Sequence, residues 1–110
     1  MKRGEVWWVD FEPAVGSEIR KQRPAVIVSN DSANTHADRV QVVPLTTNIG
    51  KVYSCEAVVM CRGKRQKAVA DQIMTADKSR FDNRIGRLSP GDLEAVERAL
   101  IVQLGLSHWQ

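Results

Sequence analysis

Pro24 followed by Ala25, Val26, Ile27 and Val28 is the feature that most narrows what this chain can become. An unbroken apolar run rich in β-branched residues needs cover on both faces, which is the signature of a buried strand. The proline fixes φ and removes a donor, so the backbone enters that strand already extended. The wider stretch Gly16–Ser29 (GSEIRKQRPAVIVS) opens with a glycine loop carrying Glu18, followed by three cations in four positions, Arg20, Lys21 and Arg23. A basic loop is therefore pinned at the mouth of a core strand, where a rigid scaffold can hold charge against a phosphate. Taken alone, such a stretch is more often a solvated connection than a site.

The flanking segments read mostly as strands. Glu5–Phe11 (EVWWVDF) is aromatic and β-branched. Adjacent strand residues face opposite ways, so Trp7 and Trp8 cannot both enter one core. An outward tryptophan is covered by further chain, stacks on a base or joins a dimer interface. Ser29–Asp38 reads as a polar loop with at most one helical turn, and Val40–Thr46 as a strand whose Pro44 implies an edge position or a bulge. Tyr53–Met60 reads as a fourth strand, Arg62-Gly63-Lys64-Arg65 as a basic turn, Lys67–Thr75 as a continuing strand and Ile85–Leu88 as a short last one. In the continuing strand Ala68, Ala70 and Gln72 share one face, and Asp71 on the other needs a partner if buried.

The chain closes on a helix. Ser89, Pro90 and Asp92 fit an N-cap, a proline at the first helical position and an acidic third position. Leu93, Val96, Leu100 and Leu104 recur at helical spacing, and Gly105 is a natural C-cap. The expected architecture is a small α+β domain spanning residues 1–110. About six short strands form a strongly twisted, mostly antiparallel sheet or partial barrel closed by the C-terminal α-helix.

Composition excludes more than it assigns. At 110 residues, 43% hydrophobic and 26% charged, the chain can bury a core without metal or disulfide staples. The net charge of +3 and a pI near 9.1 permit a polyanionic partner without demanding one. Positive charge is clustered, however, at Arg20–Arg23 and again at Arg62, Lys64, Arg65 and Lys67. If Cys55 and Cys61 share one unbroken strand they stand roughly 20 Å apart, beyond disulfide reach. Two reduced thiols and no signal peptide or membrane-spanning run give a cytoplasmic expectation. No spacing implies a metal or other cofactor.

There is no P-loop, no GxGxxG and no GxSxG. Nothing in the spacing of His36 and His108 brings them together as an acid–base pair. What remains is a set of cations, hydroxyls and loop carboxylates. Arg23 can hold a phosphoryl oxygen bidentately. Thr46 and Thr47 end the third strand, and only one of them shares a face with Arg23 if both are extended.

KRGEVWWVDFEPAVGSE, RPAVIVSND, VVPLTTN and ADQIMTADKSR, in that order, resemble the MazF/PemK family of toxin endoribonucleases from Lys2 through the C-terminal helix. The resemblance implies an SH3-like barrel of the plasmid-toxin type, usually a homodimer. It implies metal-independent cleavage of single-stranded RNA at short sequences, the ribose 2′-OH attacking the adjacent phosphate to leave 2′,3′-cyclic phosphate and 5′-OH ends. The catalytic pair of that family falls on Arg23 and Thr46, with Thr47 the alternative threonine. Glu18 matches the loop carboxylate and Gln72 a glutamine associated with RNA binding. Arg20, Lys21, Arg62, Lys64 and Arg65 are the supporting cations. The implied partner is a MazE-like antitoxin whose acidic segment folds over the basic loops, with DNA contact only through that complex.

Two departures bear on RNA contacts. Met74 stands where relatives carry arginine or another polar residue, and Gln66-Lys67 where they often carry serine. A different class of function, a gyrase-binding toxin of the CcdB type without nuclease activity, has Trp109 in its favour but no use for Arg23 beside a threonine.

Overall fold

The computed structural model describes residues 1–11 and 22–107. Strands β1 (Glu5–Asp10) and β2 (Gln22–Ile27) are followed by the short helix α1 (Asp31–His36) and by β3 (Arg39–Thr46). Then come β4 (Glu56–Cys61), β5 (Lys64–Val69), β6 (Met74–Asp77), β7 (Phe81–Arg87) and helix α2 (Pro90–Leu104). The strands form one sheet in the order β4-β5-β3-β2-β1-β7, with β6 also paired to β3. Every pairing among the described residues is antiparallel.

The α+β expectation therefore holds, a curled antiparallel sheet with a C-terminal helix, but in several places the boundaries differ. There are seven described strands where about six were expected. The Lys67–Thr75 strand is broken by a 3-10 turn at Ala70–Gln72, which lets β5 and β6 pair with different ends of β3. Asp71 in that turn is exposed, so no buried charge needs a partner. The fourth strand begins at Glu56, leaving Cys55 ahead of it, and both cysteines are free thiols. Polar Ser29–Asp38 supplies α1, capped by the Asn30 side chain, which accepts the Ala33 N–H at 2.8 Å.

Pro44 does not mark an edge, because β3 has neighbours on both sides. The Val28 N–H donates to the Gln41 carbonyl at 2.9 Å, making 28 and 41 a hydrogen-bonded pair. Bonded and non-bonded pairs alternate along an antiparallel ladder, so the Ala25–Pro44 pair is non-bonded and the proline nitrogen turns away from β2. On that far side β3 is paired with β6 through Val42 and with β5 from Leu45. Pro44 occupies the gap between them, where no donor is needed.

The sheet buries both faces. On one, Val6, Val26, Val43 and Leu45 pack with Val59 and Ala68 against Val96 and Ala99 of α2. On the other, Val9, Ala25, Ile27, Val40 and Val42 form a second core that Trp7 and Phe81 partly cover. Helix α2 begins as the sequence requires, Ser89 Oγ accepting the Asp92 N–H at 3.1 Å, and ends at Gly105 in the left-handed conformation, φ 64°. Asp92 also reaches outward, its Oδ2 accepting the Met60 N–H of terminal strand β4 at 2.9 Å. The helical stripe is shorter than its periodicity implies, since Leu104 is exposed together with Val102 and Leu106.

Candidate functional site

Strand β2 carries Arg23 to one end of the sheet. Its pairing with β1 sets Arg23 opposite Val9 and Pro24 opposite Trp8, so the two neighbours face opposite sides. Val9 belongs to the second core, and the β2–β3 register sets Ala25 opposite Pro44. That pairing ends at Ala25–Pro44, and beyond it Leu45 and Thr46 pair instead with Ala68 and Lys67 of β5. Thr46 Oγ1 accepts the Asn48 N–H at 3.2 Å, leaving the hydroxyl proton free to be donated.

At this end of the sheet lies a cleft of about 370 Å³. Trp8, Pro24, Leu45 and Ile85 give it an apolar wall, and Arg23, Arg62 and Lys64 contribute three cations. Thr47, Gln22, Gln66 and Cys61 complete the lining among the described residues, none of which is a carboxylate. The two threonines are separated as strand alternation requires, Thr47 lying on the cleft wall with Arg23 and Thr46 outside that lining.

The cationic rim is built by a tight hairpin. Cys61 pairs with Lys64 around a two-residue loop in which both residues have positive φ, Arg62 at 55° and Gly63 at 74°. This is the geometry of a type I′ turn, whose twist matches that of the flanking strands. Glycine adopts it freely, whereas arginine is held in a conformation that costs a side-chain-bearing residue roughly 1–2 kcal/mol. Burial pushes the Cys61 thiol up, only partly offset by the Arg62 charge, so it stays protonated at neutral pH and is no nucleophile.

A second cleft of about 500 Å³ lies among Asp10, Gln22, Ser79, Arg80, Phe81 and Asp82. Arg80 Nη1 donates to the Asp10 carbonyl at 3.0 Å and Gln22 Nε2 to Asp82 Oδ2 at 3.4 Å. With two carboxylates against one arginine it does not suit a polyanion.

A family description and two kinds of likeness bear on this arrangement. The PemK-like, MazF-like toxin of type II toxin-antitoxin systems matches residues 2–104. The chain belongs to this PemK/MazF toxin family. The endoribonuclease MazF9 of Mycobacterium tuberculosis is 43% identical over 115 residues, covering 96% of this chain and 98% of that protein. An endoribonuclease solved in complex with its cognate antitoxin from a Mycobacterial species has a TM-score of 0.83 at 26% identity, over 100% of this chain and 99% of its own. The MazF crystal structure from Deinococcus radiodurans gives 0.84 at 26% identity, over 96% and 97% of the two chains.

Within this PemK/MazF-like fold, the residues singled out by sequence divide into three groups. Arg23, Thr47, Arg62 and Lys64 meet at the cleft, and Thr46, at the end of β3, is not among its lining residues. Arg65 and Gln72 do not line it; Arg65 pairs with Met60 and is exposed, and Gln72 is half-buried in the 3-10 turn. Glu18, Arg20 and Lys21 lie outside the described residues, as do His108 and Trp109. His36 sits on exposed α1, its Nδ1 at 2.9 Å from the Ser32 carbonyl. Met74 packs against the second core, so this departure from the family pattern serves packing. Gln66 carries more than the sequence conveyed. It falls on the inward row of β5 between Lys64 and Ala68, a polar residue where alternation demands a buried one.

Proposed function

We propose that this chain is the toxin of a toxin–antitoxin pair and acts as an endoribonuclease on single-stranded RNA. Arg23 carries the reading. It is the arginine of the RP motif, it stands at the end of a core strand, and it borders a cleft to which the described residues contribute three cations. Such a site concentrates a phosphodiester backbone and stabilises charge that grows on it.

The reaction fits these side chains without a metal ion. The ribose 2′-oxygen attacks the adjacent phosphorus and gives up its proton. The bond from phosphorus to the 5′-oxygen breaks, and that oxygen takes a proton. Arg23 pairs with the non-bridging oxygens as their negative charge increases. Thr46, whose hydroxyl proton is free, donates to the phosphate at the end of β3, and Glu18 supplies the loop carboxylate. Products are a 2′,3′-cyclic phosphate and a 5′-OH end.

In this reading the chain works as a homodimer in the cytoplasm, where Cys55 and Cys61 stay reduced, and a MazE-like antitoxin silences it by covering the cationic cleft. No helix among the described residues is long and apolar enough to cross a membrane. Nothing in the described residues favours the gyrase-binding alternative.

The test is incubation of purified, antitoxin-free protein with a long single-stranded RNA in excess EDTA, with new ends mapped by primer extension. Discrete cuts at a shared short sequence are expected, reduced at least about 100-fold by Arg23→Ala. Intact RNA from folded protein across varied sequences would overturn the reading.

A further inference from the structure

Gln66 is a buried residue, 7% exposed, that lines the cationic cleft, yet among the described residues its buried Oε1 accepts no hydrogen bond. Buried polar groups are almost always paired, and an orphan acceptor destabilises the protein that keeps it. Folding alone gives no reason for it, because a methionine or leucine would extend the apolar row of Val59 and Ala68 that flanks it. The terminal torsion of a glutamine is soft, and a half-turn exchanges its oxygen and nitrogen, so the amide can present either to the cleft.

The rest of the lining says what partner would complete it. Trp8 offers an aromatic surface, with Ile85 and Pro24 beside it. Arg62 and Lys64 stand at the rim, on the turn that leads into the strand holding Gln66. A planar, hydrogen-bonding group attached to an anionic backbone satisfies all three parts at once. It stacks on the indole, pairs with the amide and leaves its phosphate with the cations. The volume, about 370 Å³, lies at the small end of the range usual for ligand pockets, about 300–1,000 Å³.

The geometry points to a base-reading subsite in which Trp8 stacks one nucleobase of the single-stranded RNA and the Gln66 amide reads its edge, setting sequence preference at that position. This rests on the endoribonuclease reading and deepens it. The subsite takes a base with a donor on the edge it turns to Gln66. Gln66 is here a specificity residue, separate from the proposed chemistry of Arg23 and Thr46.

The experiment is cleavage of a randomised single-stranded RNA pool, in EDTA, by the parent chain, Gln66→Met and Trp8→Phe, with all ends sequenced and each thermal midpoint recorded. Gln66→Met is expected to fold with an equal or higher midpoint and to lose about tenfold of the discrimination at one position of the cut site, leaving the others as they were. Trp8→Phe, which keeps a stacking ring, is expected to retain that preference. Identical preferences at every position for the parent chain and Gln66→Met would overturn the subsite while leaving the endoribonuclease reading intact. The same holds if Gln66→Met changes only antitoxin binding or self-association, for then the cleft seats protein. Failure of the parent chain to cut any member of the pool overturns both.

Discussion

Trp7 and Trp8 are sequence neighbours that serve opposite faces of one strand. Trp7 meets Phe81 edge-on, ring centroids 6.1 Å apart, and its Nε1 donates to Glu5 Oε1 at 3.0 Å. Trp8 faces the cationic cleft with Arg23 and Gln66. One indole therefore closes a core and the other is left to line a site. The division follows from the two-residue period of a strand.

The two threonines should separate kinetically. Thr46→Val is expected to lower kcat by about 100-fold or more with little change in KM, as the loss of a transition-state hydrogen bond does. Thr47→Val is expected to act mainly on KM, because Thr47 lines the cleft while the motif match gives the proposed chemistry to Thr46. Single-turnover rates on one short RNA decide the matter. If Thr47→Val gives the larger loss in kcat, the catalytic threonine is Thr47.

Arg62 should show a conflict between stability and binding. Replacing it with asparagine, which tolerates positive φ, is expected to stabilise the hairpin by roughly 0.5–1 kcal/mol. The same Arg62→Asn change removes a rim cation, so RNA affinity should fall and the slope of log K against log salt should lessen by about 0.7. Denaturant melts and binding titrations at several salt concentrations measure the two effects. A variant neither more stable nor weaker in binding would refute the assignment.

Acid should unfold the protein partly through Glu5. Burial alone would raise its carboxyl, but hydrogen bonds from Trp7, the Lys2 N–H and Arg84, with the charge of the N-terminus, hold it below its ordinary 4.5. The unfolded chain therefore takes up the proton first. The stabilisation is complete above about pH 4.5 and disappears as the pH falls through the lower folded value. Asp31, held below 3.8 chiefly by the Arg3 N–H, and Asp77, by the Ser79 N–H, add to the slope in the same direction. In Glu5→Gln the melting temperature should drop at neutral pH and vary less below pH 4.5. Most of that loss belongs to the bonds from Trp7 and Lys2, since the Arg84 side chain is 58% exposed and its ion pair is worth little.

Removing the helix cap should cost stability without touching the cleft. Ser89→Ala deletes the acceptor of the Asp92 N–H and is expected to destabilise by about 1 kcal/mol. Cleavage preferences at low temperature should match those of the parent chain.

Helix α2 was legible to its caps because Ser89, Pro90 and Gly105 act through local geometry. The β-branched run before Ser29 and the aromatic first strand were legible for the same reason. The 3-10 break at Ala70–Gln72 was not, because alternation continues across it and only the partner change along β3 requires it. Pro44 misled likewise, since a missing donor matters only on the side where a neighbour waits. The motifs brought Arg23 and the threonines forward. Gln66 stood out in the sequence only as a departure from the family pattern, and its burial emerged from register, which sets it opposite Val59 on a buried row.

The bond from the Met60 N–H to Asp92 ties two failures together. Strand β4 ends the sheet, and an open sheet margin is a template on which other chains can grow. The first turn of α2 blocks part of that margin. A molecule whose helix lifts away therefore loses core packing and bares a pairing surface in the same event, with Met60 already exposed beside it. Aggregation of this protein should accordingly track the fraying of its last helix and not the melting of its sheet.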